Sequence, residues 1–413
     1  MKRREPKAPY VPPVQHIELD EKKIKPRVIL TIVFFIIGVA AITFGVVSMT
    51  QTEDGWRDIE AKSELSGSCL GDIAFQYNLG ASGVAAGVES RAISNLYLEA
   101  ADEATKLYNN AYYVDTNNIY TLNTSPNTEI SLEPELYSAL ELLLENDRRE
   151  IFYAPYYNEY NSLFFCVNDV EAYDFDPSMN TEMADYISSL AAFVNDEKHI
   201  SITLSENNKA TLNVSEEYLA FAEEYEITSF IDLYWMQNAF VVDYIADKMM
   251  ANGYYFGSLS TFDGYVRNLD HGSGYVYGYN VYDMEDNTVI PAVIMTYEKQ
   301  LSIVNYRAFP MSDVDDRFYY EYDNGGIAHK YIGGDGYPIS STASLTAVSR
   351  ELGCAEILVR TMGFYLADEL DENTLSTLDD IGVVYCRDGV VVSTTEDGIG
   401  FESFYEGYSL SED

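Results

Sequence analysis

His329-Lys-Tyr-Ile-Gly-Gly-Asp-Gly-Tyr-Pro338 is the stretch on which the fold is decided. Gly, Asp and Pro are turn formers, so it reads as a histidine held at a turn ahead of a strand at residues 343–348. The Gly-Gly pairs at 325–326 and 333–334 match neither a P-loop nor a Rossmann glycine pattern, and no Gly-x-Ser-x-Gly occurs in the chain. Around this stretch the pattern favours strands. Apolar and aromatic residues run through 275–282, 289–295, 301–306 and 318–322. The 343–348 strand leads through Gly353 into a helix at 355–363. A hairpin at 383–387 and 390–394, turning at Asp388-Gly389, follows.

Upstream, helical spacing dominates. Ile93, Leu96, Tyr97, Ala100, Ala104 and Leu107 share one face of a long amphipathic helix. Leu136, Leu140 and Leu143 mark a second helix, and Met183, Tyr186, Ile187, Leu190 and Phe193 a third. Residues 199–204 and 210–214, joined through Asn207-Asn208, read as a hairpin. Phe240, Tyr244, Ile245 and Met249 mark a helix ended by Gly253. Strands and helices are interspersed without a βαβ rhythm, which makes the expected class α+β.

The ends carry a separate message. Val28 to Met49 is uncharged and apolar. At about 1.5 Å per residue it can cross a hydrocarbon core of about 30 Å as one helix. Residues 1–27 hold eight Lys/Arg against four acids, whereas the whole chain holds 25 against 67, a net charge of −42. A basic flank stays on the cytoplasmic side. The expectation is a cytoplasmic basic tail at 1–27, a transmembrane helix at 28–49, a stalk at 50–64, an extracytoplasmic domain at 65–406 and an acidic tail at 407–413. A cleaved leader is the competing reading. It fits less well, because the apolar run exceeds an h-region of roughly 7–15 residues and no small-x-small site follows it. The acidic balance excludes nucleic acid, which needs Lys/Arg patches. Cys69, Cys166, Cys354 and Cys386 lack metal-ligand spacing. They read either as disulfides in an oxidising exterior or as buried thiols. His199, His271 and His329 are too scattered for a histidine metal site.

The His329 stretch resembles the His-x-x-Asp-Pro-x-Thr-Gly-x-Pro motif of the FAD:protein FMN transferase (ApbE) family. His329, Gly336 and Pro338 stand in place, while Ile332, Gly333 and Asp335 replace the family's Asp, Pro and Thr. Four further segments follow the family's order. Asn117-Asn-Ile-Tyr-Thr-Leu-Asn123 is similar to its Asp-Ser-x-Leu-x-x-Leu-Asn turn, and Glu150-Ile-Phe-Tyr-Ala-Pro155 to its Gly-Ala-Phe-Asp. Ser229-Phe-Ile-Asp-Leu233 falls on Asp-Leu-Gly-Gly-Ile-Ala-Lys-Gly-Tyr-x-x-Asp, with Asp232, Leu233 and Asp243 kept. Cys354-Ala-Glu-Ile-Leu-Val-Arg360 falls on the metal motif Ala-Asp-x-x-x-Thr.

The resemblance implies an ApbE-like α+β domain, FAD and Mg²⁺ as cofactors, and flavin-carrying membrane or secreted proteins as partners. It puts His329 in the proton-moving role, Phe152, Asp232, Asn238 and Tyr331 against the cofactor, and Glu356 at the metal. The departures fall on the family's chemistry. Tyr234-Trp235 replaces the Gly-Gly that lets a backbone approach a pyrophosphate, Asn238 replaces its Lys, and Arg360 its metal-binding Thr. The expected function is a degenerate FMN transferase-like protein with weak or no transfer. An active Mg²⁺-dependent enzyme and a non-catalytic surface module are the alternatives.

Overall fold

The computed structural model describes residues 52–411 except 313, 314, 396 and 397, together with residues 29, 33–35 and 39. It divides into two compact units, Met1–Glu53 and Asp54–Asp413. The basic tail and most of the Val28 to Met49 run lie outside the described residues. Among the described residues no helix is long and apolar enough to cross a membrane.

The second unit is built on a nine-stranded sheet. In spatial order its strands are Gly55–Asp58, Ile73–Leu79, Gly257–Thr261, Tyr265–Asn268, Leu301–Arg307, Ser344–Ser349, Gly382–Arg387, Val390–Ser393 and Ser409–Leu410. The pairing is antiparallel up to the last step, where Ser409–Leu410 runs parallel to its neighbour. Alternation along the central strands explains why they are buried on both faces. Val304, Tyr306, Leu345, Ala347 and Val383 join the large core beneath the helices. Leu301, Ile303, Val348 and Val384 face a second core shared with Val281, Val293 and Met295. Those three come from a smaller sheet of Ile399–Glu402, Thr288–Glu298 and Val276–Glu285.

On the helical side, Ala86–Tyr108 packs on Gln237–Ala251, and Cys354–Tyr365 packs beside the latter. Both expected hairpins form. Asn207 and Asn208 have φ of 62° and 56°, as a two-residue turn compatible with strand twist requires.

Two boundaries differ from expectation. The proposed stalk at 50–64 contributes Gly55–Asp58 to the sheet edge, because Trp56 packs edge-on against Tyr275 and Tyr277 and Ile59 is buried. The proposed acidic tail at 407–413 likewise adds Ser409–Leu410, held where Tyr408 donates to Asp283 at 3.0 Å. The strand expected at 318–322 begins at Tyr319, with Phe318 in the preceding 3-10 turn.

Candidate functional site

The segments singled out by sequence are joined by hydrogen bonds although they lie far apart in the chain. Asn118 caps the short helix Ile119–Thr124, which carries Asn123 into the core. The Asn123 side chain accepts from the backbone N–H groups of Phe230 and Ile231 at 2.8 and 2.9 Å and donates to the Ile231 carbonyl. The next N–H, of Asp232, donates to the Ile151 carbonyl at 2.9 Å. The 117–123, 150–155 and 229–233 segments thus form one backbone junction.

Asp232 projects from this junction into a cavity of about 810 Å³. Its carboxylate accepts from the Tyr234 N–H at 2.9 Å and from the Asn110 amide at 2.6 Å. It thereby holds the first N–H of the 3-10 turn Tyr234–Met236 that leads into the helix Gln237–Ala251. Burial raises its pKa to about 6, opposed by these hydrogen bonds. Tyr234 stacks on Tyr157 at 4.6 Å between ring centroids and meets Phe318 edge-on at 5.3 Å. Its φ of 43° lies in the left-handed region, which glycine occupies freely and tyrosine does not. Trp235 turns the other way and is fully buried against Tyr331.

Asn238 also lines the cavity, and its amide donates to both oxygens of the buried Asp263 at 3.2 and 3.1 Å. Behind it stands Lys330, whose Nζ lies 4.0 Å from Asp263 and 4.5 Å from the centre of the Phe318 ring. Burial lowers the Lys330 pKa to about 8, with Asp263 acting in the opposite sense. Arg317 pairs with Asp72 at 2.6 Å and lies over the Phe262 ring at 3.9 Å.

The remaining expected site residues do not line this cavity. His329 ends the ribbon strand Ile327–His329. It is buried, its Nδ1 has no partner in the protein, and burial holds its pKa down at about 4. Tyr331 accepts from the Arg307 N–H at 3.3 Å and is packed among Trp235, Tyr306 and Tyr365. Phe152 lies under the Arg149 guanidinium. Glu356 sits in the first turn of Cys354–Tyr365, and Arg360 reaches back to it at 3.7 Å while donating to the Asp379 carbonyl at 2.9 Å.

The loop after His329 is a tight hairpin. Gly333 and Tyr337 are bonded across it, Gly336 donates to Gly333, and Ile339 donates to Tyr331. Gly336 has φ of 84°, and a Cβ there would run into Ile187 and the Tyr156 ring. Tyr156 and Tyr160 donate to the Gly334 and Gly336 carbonyls at 3.2 and 3.0 Å. Asp243 fixes the backbone in a comparable way. It accepts from the N–H groups of Cys354 and Ala355 at 2.9 and 2.8 Å, capping that helix, with Arg267 3.5 Å away.

Mg²⁺, which the resemblance implies, does not fit these side chains. Arg360 places a guanidinium on the one carboxylate of the metal motif. Among the described residues no group of three or more His, Cys, Asp or Glu side chains could hold a metal ion. All four cysteines are free thiols. Sequence reading missed Asp72, Asn110, Tyr157, Arg317 and Phe318 in the cavity wall. Lys330 and Asp263 were readable only as one residue inside the quoted stretch and one Asp-Gly turn.

No family model matches the chain, and no curated protein matches it in sequence. Solved structures do match. The flavin transferase ApbE from Vibrio cholerae superposes with a TM-score of 0.55 at 13% identity, covering 85% of this chain and 97% of that one. The ApbE protein from Thermotoga maritima gives 0.53 at 14% identity, covering 85% and 96%. A histidine-to-glycine mutant of the Vibrio protein gives 0.51 at 13% identity, covering 84% and 96%. The likeness is one of fold: the Asp54–Asp413 unit has the α+β architecture of the ApbE flavin transferases, at a sequence distance that leaves its chemistry to be argued from its own residues.

Proposed function

We propose that this chain is a membrane-anchored, extracytoplasmic protein of flavin-transferase fold that recognises flavin, free or on a partner protein, with weak or no transfer of FMN to threonine. Val28 to Met49 is the anchor, the basic tail faces the cytoplasm, and the acidic domain works outside. The observation that carries the reading is the cavity around Asp232. It keeps a ring-lined pocket of ligand size, while the charges a transferase would use are committed to one another, Arg317 to Asp72 and Arg360 to Glu356. Fold alone does not specify activity. Binding therefore rests on the pocket, and the weakness of transfer on the missing metal donors.

The test is to incubate the full chain, in detergent, with FAD, Mg²⁺ and a threonine-bearing acceptor. Flavin fluorescence is followed together with AMP release. Quenching without AMP above background supports the reading. Mg²⁺-dependent, stoichiometric AMP release would replace it with an active enzyme.

A further inference from the structure

The chemistry of the Asp232 cavity narrows its ligand further. Its walls offer the half-buried rings of Tyr234 and Phe318, with side-chain amides from Asn158, Asn161 and Gln237; Tyr157 lies stacked under Tyr234 and is buried. Aromatic edge contacts plus amide hydrogen bonds suit a flat, nitrogen-rich ring system.

A phosphate meets the opposite situation. Among the described residues lining the cavity, Arg317 is the sole cation, and it is held 2.6 Å from Asp72. The other ammonium nearby, on Lys330, lies behind Phe318 with Asp263 as its counter-charge. A helix start can bind an anion through free N–H groups. Here the Tyr234 N–H already donates to Asp232, so the protein's own carboxylate occupies that place. Glycines that would bring further N–H groups close to a diphosphate are absent, since Tyr234 and Trp235 stand there. The lining has two carboxylates against one guanidinium, within a chain of net charge −42. A phosphate entering this field is repelled and finds no cation without a carboxylate counter-charge.

We infer that the cavity takes a planar, phosphate-free heterocycle, the ring system of a flavin or of a nucleoside, and discriminates against its phosphorylated forms. The inference rests on the reading of this cavity as the ligand site. Phosphate rejection is its own content.

The experiment is isothermal titration of the full chain in detergent, near neutral pH and without Mg²⁺, with four ligands in matched pairs: riboflavin against FMN, and adenosine against ADP. The expected result is that the phosphate-free member of the pair that binds does so at least about tenfold tighter. Tyr234→Ala should weaken that binding by about tenfold with far-UV circular dichroism unchanged. Asp232→Asn should narrow the gap between riboflavin and FMN. Riboflavin preferred to adenosine keeps flavin as the ligand. Adenosine preferred supports the inference and removes flavin from the proposed function. FMN or ADP binding tighter than its phosphate-free counterpart overturns the inference and leaves flavin recognition standing. Absence of binding by all four ligands overturns both.

Discussion

The His329–Pro338 loop and the Ser229–Asn238 segment have diverged in different ways from the same family pattern. In the loop, two of the three retained residues shape the backbone. Gly336 has positive φ and no room for a side chain, and Pro338 closes the turn opposite Ile332. In the 229–238 segment, a tyrosine stands in a conformation suited to glycine: Tyr234 holds a φ of 43° and stacks its ring on Tyr157. Local geometry in both segments is enforced by packing, whatever the side chains do toward a ligand.

The sharpest way to break this comparison is Gly336→Ala. A Cβ at φ 84° costs about 1–2 kcal/mol. Overlap with Ile187 and Tyr156 adds about 1–3 kcal/mol. A loss of about 3 kcal/mol or more in urea unfolding is expected. A change below about 1 kcal/mol would mean that the loop is not held by packing.

Acid titration separates the two regions by sign. His329 falls from 6.5 to about 4 on folding, so the unfolded chain binds its proton first. Its contribution is intact above about pH 6.5 and is lost as pH falls toward 4. Relative to His329→Gln, the parent should lose roughly 3 kcal/mol over that window. Asp232 rises from 3.8 to about 6, so the folded state binds its proton first. Relative to Asp232→Asn, the parent should gain roughly 3 kcal/mol as pH falls from about 6 to about 4. Parallel pH profiles for both variants would show that neither group is buried as described.

Much of the fold was legible because long segments repeat one period. The helix carrying Ile93, Tyr97, Ala100 and Ala104 buries that face, and the hairpins announced themselves through Asn-Asn and Asp-Gly. Gly257–Thr261 was not legible, since Leu259 is its one large apolar residue and its neighbours in the sheet define it. Ile73–Leu79 alternates Ile73, Phe75 and Tyr77 inward and could have been read. Of the candidate site, Asp232 and Asn238 reach the cavity. Asp72 and Arg317 come from positions 245 apart with no local pattern around either. Only the tertiary fold brings them together.

A gentler probe is the pair Tyr234→Ala and Tyr234→Gly. Both delete the stack on Tyr157, but only glycine relieves the left-handed backbone. The glycine variant should be the more stable by about 1 kcal/mol in thermal or urea unfolding. Equal stabilities would show that tyrosine sits there without strain, and the contrast with Gly336 would lose its basis.

The smallest effect belongs to the helix that replaces the metal motif. Glu356 precedes Arg360 by four residues, the favourable order for a helical ion pair, at 3.7 Å with the carboxylate 44% exposed. Solvent screens such a pair, so the coupling in a double-mutant cycle with Glu356→Ala and Arg360→Ala should not exceed about 0.5 kcal/mol. Arg360→Ala alone should cost about 1 kcal/mol, because the bond to the Asp379 carbonyl goes with it. A coupling near zero to 0.5 kcal/mol fits a helix start held chiefly by its Asp243 cap. A coupling above about 2 kcal/mol would put the pair in a desolvated environment, making this region as structurally constrained as the Gly336 loop and dissolving the contrast between them.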